Sequence, residues 1–123
     1  MATLDVQVVL DRLHGDRAFL GELYETFLED FERRMSRMTA DFSSGDREAL
    51  ARQAHSLKGA AATIGATDLH LAAASLDALC RNRQEDEIPG QWGKVVHAAQ
   101  DARDAMLAWL AEERAAAGSP ANS

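Results

Sequence analysis

The feature that most constrains the fold of this chain is a long apolar repeat in its first third. Large apolar side chains recur there at spacings of three and four residues: Leu20, Leu23, Tyr24, Phe27, Phe31, Met35, Met38 and Phe42. This spacing places them on one face of an α-helix, because an α-helix has 3.6 residues per turn. The repeat therefore predicts a helix over about residues 17–42, with an apolar face that the rest of the fold must cover.

Similar repeats predict further helices, separated by short polar or glycine-containing connections. We expect a short cap helix over about 3–13, bundle helices over about 17–42, 47–64, 68–82 and 91–114, and a flexible tail at 116–123. Asp16 and Asp46 are the expected N-caps of the second and third helices, because a short carboxylate can accept from the free N–H groups there. Thr67 or Asp68 is the expected cap of the fourth helix, and Gly65 stands where a glycine commonly ends a helix.

Proline usage and patterning both favour an all-α chain. Only two prolines are present, neither within a long periodic segment, and no run alternates apolar and polar residues long enough to indicate a strand. A chain of 123 residues that is 46% hydrophobic suits one domain, which we assign to residues 1–115. The predicted fold is an up-and-down antiparallel four-helix bundle with a short N-terminal cap helix.

Charge and cysteine content exclude some classes of partner. A net charge of −7 argues against a nucleic-acid binder, because phosphate backbones attract basic surfaces. No apolar run approaches the length needed to cross a bilayer, so we expect no membrane association. The single cysteine, Cys80, cannot form an intramolecular disulfide, which favours a reducing, cytoplasmic setting. We expect a monomer, since the apolar faces are used inside one bundle.

The third predicted helix contains the segment QAHSLKGAAATIGA, residues 53–66. Its apolar stripe consists of Leu50, Ala54, Leu57, Ala61 and Ile64. At about 100° per residue, His55 lies about 140° from that stripe, on the solvent side. The residues one turn away from it are mostly small or cationic: Ala51, Arg52, Lys58, Gly59 and Ala62. Glycine inside a helix costs about 1 kcal/mol relative to alanine, so its presence on this face needs a reason.

An exposed histidine on a helix is most often a surface residue without a function, and alanines are ordinary helix formers. The combination of His55, Lys58 and Gly59 nevertheless favours a functional interpretation. An imidazole near neutral pH offers an unprotonated ring nitrogen that can act as a nucleophile. Neighbouring cations suit a phosphoryl group, and small side chains let another protein approach closely.

These residues resemble the signature of histidine-containing phosphotransfer (HPt) domains, which relay phosphoryl groups in multistep two-component signalling. The family pattern corresponds here to His55, Leu57, Lys58, Gly59, Gly65 and Leu69. The resemblance extends to the order of the predicted helices, with the motif on the second helix of the bundle. It implies that His55 is the phospho-acceptor, that Lys58 assists the phosphorylated state and that Gly59 keeps the approach clear.

The resemblance also implies the partners. They would be receiver domains of response regulators and a hybrid sensor histidine kinase, and the receiver would supply the reacting aspartate and Mg²⁺. The chain would then be a phosphoryl carrier rather than an enzyme, with no cofactor of its own. On the same helix face, we expect Arg52 to help neutralise phosphoryl oxygens and Ala51 and Ala62 to leave clearance for docking.

The family often has a polar residue on the adjacent helix that accepts a hydrogen bond from the second nitrogen of the histidine. The corresponding position here is Asp77, on the edge of the fourth helix. Glutamate or glutamine is commoner there, and aspartate is shorter. Two interpretations of Asp77 therefore remain open: it orients His55, or it is a solvated surface acid.

Other chemistries lack their motifs. The paired Glu-x-x-His motifs of di-iron bundles, Cys/His clusters with zinc spacing, a P-loop and a G-x-S-x-G segment are all missing, so we expect no metal. An ATP-binding domain would not fit, which excludes an autokinase. We assign His14, His70 and His97 to structural or surface roles and Cys80 to the core. The alternative function is a non-catalytic helical adaptor, a degenerate HPt domain that binds a signalling partner through the same face.

Overall fold

The structure, a computed structural model, describes residues 3–118 and is all-helical over that range, as predicted. Its elements in chain order are α1 (Val6–Arg12), α2 (Arg17–Ser44), α3 (Arg47–Ile64), α4 (Thr67–Arg81), a 3₁₀ turn (Glu85–Glu87) and α5 (Ile88–Ala117). Helices α2 and α4 each pack against both α3 and α5, whereas α3 and α5 do not pack against each other within the described residues. Helix α1 contacts α2 and α3.

Aspartate side chains cap the first three helices. Asp5, Asp16 and Asp46 each accept a hydrogen bond from the backbone N–H three residues later, at 3.3, 3.0 and 3.1 Å. The prediction of a Thr67 or Asp68 cap for α4 is wrong. Helix α4 already begins at Thr67, and its N-cap is Ala66, which has no side-chain oxygen to offer. The helix thus begins one residue before the predicted limit, and Thr67 and Asp68 lie within its first turn.

The predicted limits of α3, 47–64, agree with the structure, and the other limits shift. Helix α1 is shorter than predicted and α2 runs two residues further. The largest change is at α5, which begins at Ile88 and not at 91. Ile88 is buried and belongs to the helix, whereas the sequence placed it in a solvated connection. Pro89 is tolerated in the first turn, where its missing N–H would have had no partner.

The predicted tail at 116–123 is also partly wrong. Helix α5 continues to Ala117, so the first residues assigned to the tail are helical. Residues 119–123 lie outside the described range.

The core consists of the apolar faces that the periodicity identified. In α3 the whole predicted stripe is buried: Leu50, Ala54, Leu57, Ala61 and Ile64. In α2 five of the predicted positions are buried, namely Leu20, Tyr24, Phe27, Phe31 and Met38, and the other three pack against them at partial exposure. Burial of the α3 stripe on the inside turns the opposite face of that helix, with His55, toward solvent.

The turn between α3 and α4 is also where the chain preceding α1 is attached. Gly65 has φ +75°, and its carbonyl oxygen accepts a hydrogen bond from the Asp5 backbone N–H at 2.8 Å. A Cβ at Gly65 would lie 2.7 Å from Val9 Cγ2 and 2.9 Å from the Asp5 carbonyl oxygen. Glycine is therefore required here both by backbone conformation and by close approach.

We expect Gly65→Ala to lower the free energy of unfolding by about 2–4 kcal/mol, measured by urea denaturation followed by circular dichroism. The left-handed conformation alone costs a non-glycine residue about 1–2 kcal/mol, and relief of the contact with α1 adds to it. Gly45→Ala is the matched control, since Gly45 has φ +73° but nothing within 4 Å of its added Cβ. Equal losses in the two variants would contradict the importance of the α1 contact.

Candidate functional site

His55 lies on the outward face of α3, and 61% of its side chain is exposed. Its Nδ1 atom lies 3.3 Å from Oδ2 of Asp77, which belongs to the neighbouring helix α4. A carboxylate only accepts hydrogen bonds, so this contact is made when Nδ1 carries the hydrogen. The other ring nitrogen, Nε2, is then the one that retains a free lone pair.

Asp77 is buried, with 8% of its side chain exposed, so its interpretation as a solvated surface acid is wrong. Its shorter side chain nevertheless reaches the imidazole. The reason is the close packing of α4 on α3, which brings the two residues together although they are 22 positions apart in the chain.

Three potentially cationic groups surround the Asp77 carboxylate. Arg81 Nε donates to Oδ1 at 2.5 Å, and Lys58 Nζ lies 3.9 Å from Oδ2, the oxygen that also faces His55. A buried carboxylate needs such partners, because an unpaired charge away from water is costly. The two oxygens are thus divided, with Oδ1 held by Arg81 and Oδ2 directed at His55 and Lys58.

Lys58 is held at its backbone as well as at its side chain. Its carbonyl oxygen accepts a hydrogen bond from Nδ1 of His70 at 3.0 Å, and His70 is half-buried between α3 and α4. Of the structural or surface roles expected for His70, the structural one therefore applies. It joins α4 to the turn of α3 that contains Lys58 and Gly59.

Part of the helix face around His55 has only small side chains. Gly59 and Ala62 are exposed, and a Cβ added at Gly59 would meet nothing within 4 Å. No contact within the described residues therefore requires a glycine at position 59. Ala51, which we expected on the same face, is buried at 6% exposure and belongs to the core. That expectation is wrong because α4 covers a wider arc of α3 than the apolar stripe indicates.

Arg52 is exposed and forms no ion pair with any residue in the described range. Two other arginines near the site were missed by the sequence analysis. The four-residue spacing of Asp77 and Arg81 on one helix is a signal that identifies such a pair. Arg34 of α2 donates to the Ser56 hydroxyl at 3.0 Å, and only the packing of α2 on α3 reveals that contact.

Cys80 is buried next to this cluster, as predicted for a small core residue. Burial raises the pKa of its thiol, and the nearby Asp77 carboxylate raises it further. The thiol is therefore kept in its neutral, less reactive form. Across residues 3–118, no three His, Cys, Asp or Glu side chains are grouped as a metal site would need. No helix in this range has the length and apolarity to cross a membrane.

Comparison with known proteins relates this geometry to a family. The family model of the Hpt domain matches residues 22–116, which is most of the chain. Among solved structures, the chain is similar to histidine-containing phosphotransfer protein B (HptB) from Pseudomonas aeruginosa PAO1. The TM-score is 0.80 at 24% sequence identity, over 89% of this chain and 96% of that one, so the likeness is one of fold. A search of curated proteins finds no significant match. The extent of the family match shows that the chain belongs to the Hpt domain family.

Proposed function

We propose that this chain is a phosphoryl carrier of a multistep two-component phosphorelay, in which His55 receives a phosphoryl group from one receiver domain and passes it to another. One observation carries the proposal. An exposed imidazole has its Nδ1 directed at a buried carboxylate, so its Nε2 is free on a face that another protein can approach. Membership of the Hpt domain family supports the same function.

The fold we propose is the up-and-down four-helix bundle of α2 to α5, with α1 as its cap, in a single domain that includes α5 to its end at Ala117. Two-residue connections join α2 to α3 and α3 to α4, and each of these pairs packs side by side. Helices joined so tightly must run in opposite directions. His55 is near the middle of α3, so a rigid helix, rather than a loop, carries the reacting group.

In the proposed reaction, Nε2 of His55 attacks the phosphorus of an aspartyl phosphate on the receiver. The N–P bond forms as the P–O bond to the aspartate breaks, and that aspartate leaves as a carboxylate. The imidazole keeps its hydrogen on Nδ1 and becomes cationic, which the Asp77 carboxylate at 3.3 Å favours electrostatically. Onward transfer is the reverse of these steps with a second receiver.

Phosphoryl transfer depends mainly on positioning and on neutralising the oxygens of the moving group. We assign this second role to Lys58, 31% of whose side chain is exposed beside His55 and Asp77, and to Arg52 one turn earlier on α3. The receiver supplies the aspartate and the Mg²⁺, and this chain binds no cofactor of its own. Gly59 and Ala62 give the receiver clearance to approach.

The partners we propose are receiver domains of response regulators and a hybrid sensor histidine kinase, met by a monomeric chain in the cytoplasm. A surface with a net charge of −7 does not favour nucleic acid or an anionic membrane.

The direct test is to mix the chain with receiver domains phosphorylated by acetyl phosphate in the presence of Mg²⁺. We expect this chain to acquire a label that is labile in acid and stable in alkali, as expected for a phosphohistidine. A receiver that binds the chain tightly but never labels it would instead favour the non-catalytic adaptor.

Asp77→Ala tests the proposed orientation of the imidazole. Loss of the hydrogen bond from Nδ1, worth about 1 kcal/mol, is expected to slow labelling roughly fivefold. Nitrogen NMR of His55 should show a fall in the tautomer with hydrogen on Nδ1. Asp77→Asn, which keeps an acceptor oxygen, should restore most of that tautomer. An unchanged tautomer in Asp77→Ala would contradict the orienting role, whatever the variant's stability.

A further inference from the structure

The C-terminus of α4 contains a residue in an unfavourable backbone conformation. Within residues 3–118, four helices end with the same pair of hydrogen bonds. In each, a left-handed residue donates to the carbonyl three positions earlier and the next residue donates to the carbonyl five earlier. In α2 and α3 the left-handed residue is a glycine, Gly45 or Gly65, as is usual for this motif. In α1 and α4 it is instead His14, with φ +55°, and Arg83, with φ +57°.

Within the described part of the chain, the side chain of Arg83 forms no interaction that would offset this strain. Its side chain is exposed and takes part in no hydrogen bond or ion pair with residues 3–118. The Arg83 guanidinium therefore contributes no hydrogen bond or ion pair to the described fold, and it is available to a partner.

Arg83 lies at one edge of an open cleft of about 300 Å³, which we call the arginine cleft. Its cationic lining consists of Arg47, Arg52, Arg81 and Arg83, and its acidic lining consists of Glu48. Arg47 is paired with Glu85 and Arg81 with Asp77. The other two guanidinium groups form no ion pair with residues 3–118. The lining of the cleft thus carries more cationic than acidic side chains, on a chain with a net charge of −7.

The arginine cleft adjoins the face of His55. Arg52 precedes His55 by three residues on α3, about one helical turn, and Arg81 on α4 holds Asp77, which contacts the imidazole. A stable protein interface covers about 800 Å² per partner, equivalent to a patch about 16 Å in radius. A receiver centred on His55 therefore also covers the cleft.

We propose that the arginine cleft binds carboxylate side chains on the surface of the receiver domain that docks over His55. The proposal rests on the proposed function and specifies the chemistry of the partner's surface. Guanidinium groups pair with carboxylates in a bidentate geometry. Such a contact near the edge of the interface raises the rate of association.

Arg83→Gly separates docking from folding, because glycine removes the charge and relieves the backbone strain together. We expect its melting temperature to equal or exceed that of the wild type. With a phosphorylated receiver that labels the wild type, kcat/KM should fall about fivefold at low salt, and the difference should vanish at about 0.5 M NaCl. Arg83→Glu, which reverses the charge at the same backbone strain, should lower kcat/KM further.

Arg114→Gln is the matched control, because it removes one exposed cation that forms no ion pair within residues 3–118. It lies on α5, which does not pack against α3 in that range. Its kcat/KM for transfer should equal that of the wild type. An equal fall of kcat/KM in Arg114→Gln and Arg83→Gly would show an effect of net charge alone, and it would overturn the cleft proposal. Unchanged kcat/KM in both Arg83 variants would also overturn the cleft proposal. The proposed function would still stand in that case, because the wild type is labelled. A wild type that no receiver labels would instead refute the proposed function itself.

Discussion

His55→Gln is expected to abolish labelling of the chain by phosphorylated receiver domains while leaving its fold intact. Glutamine has no ring nitrogen that can attack phosphorus, so no N–P bond can form. The side chain is 61% exposed, and substitution at such a position usually changes stability by less than about 0.5 kcal/mol. The measurement is the transfer of ³²P from a labelled receiver, together with a thermal melt followed by circular dichroism.

His97→Gln is the matched control for this loss. His97 is also exposed, at 79%, and also has a carboxylate neighbour, with Nε2 3.2 Å from Oδ2 of Asp101. It lies on α5, away from Lys58 and Gly59, and its replacement should leave labelling unchanged. An alkali-stable label that persists in His55→Gln would show that another residue is the acceptor.

The second large effect is expected for Gly59→Glu. A glutamate at this position projects from the face that the receiver must approach, one turn beyond His55, and it adds negative charge beside the phosphoryl group. Misplacement of reacting atoms by about 1 Å can slow a reaction by about 100-fold, and we expect a loss of that order in the rate of transfer. Single-turnover transfer from a phosphorylated receiver measures it.

Gly93→Glu on α5 controls for the introduction of glutamate into a helix, because Gly93 is equally exposed and has nothing within 4 Å of an added Cβ. It should transfer normally. Gly59→Ala completes the comparison, since alanine is expected to stabilise α3 by about 0.5–1 kcal/mol without filling the approach. Wild-type transfer by Gly59→Glu would show that position 59 provides no docking clearance.

The helices were predictable because helix formation leaves a local signal. Apolar residues spaced by three and four identify a buried face within a single segment, and capping aspartates such as Asp16 and Asp46 mark where segments begin. The predicted limits of α3 agreed with the structure for this reason. The start of α5 was missed because Ile88 belongs to the helix through its burial against other helices, and its neighbours in sequence resemble a loop.

The same distinction applies to the candidate site. The position of His55 opposite the apolar stripe follows from the helical period, and so does the proximity of Lys58 and Gly59 on that side. The helical period does not determine which of the flanking residues are exposed. Ala51 is buried although its angle on the helix suggested otherwise, because the arc covered by α4 depends on how closely two helices pack.

The amino-acid sequence by itself determined that this chain is helical, which faces its helices bury and that a histidine beside a lysine and a glycine points away from the core. These properties depend on residues within a few turns of one another. The burial of Asp77, its contact with His55 and the arginine cleft were decided only by the tertiary structure. They depend on the distance between α3 and α4, which side-chain packing sets and no local pattern encodes.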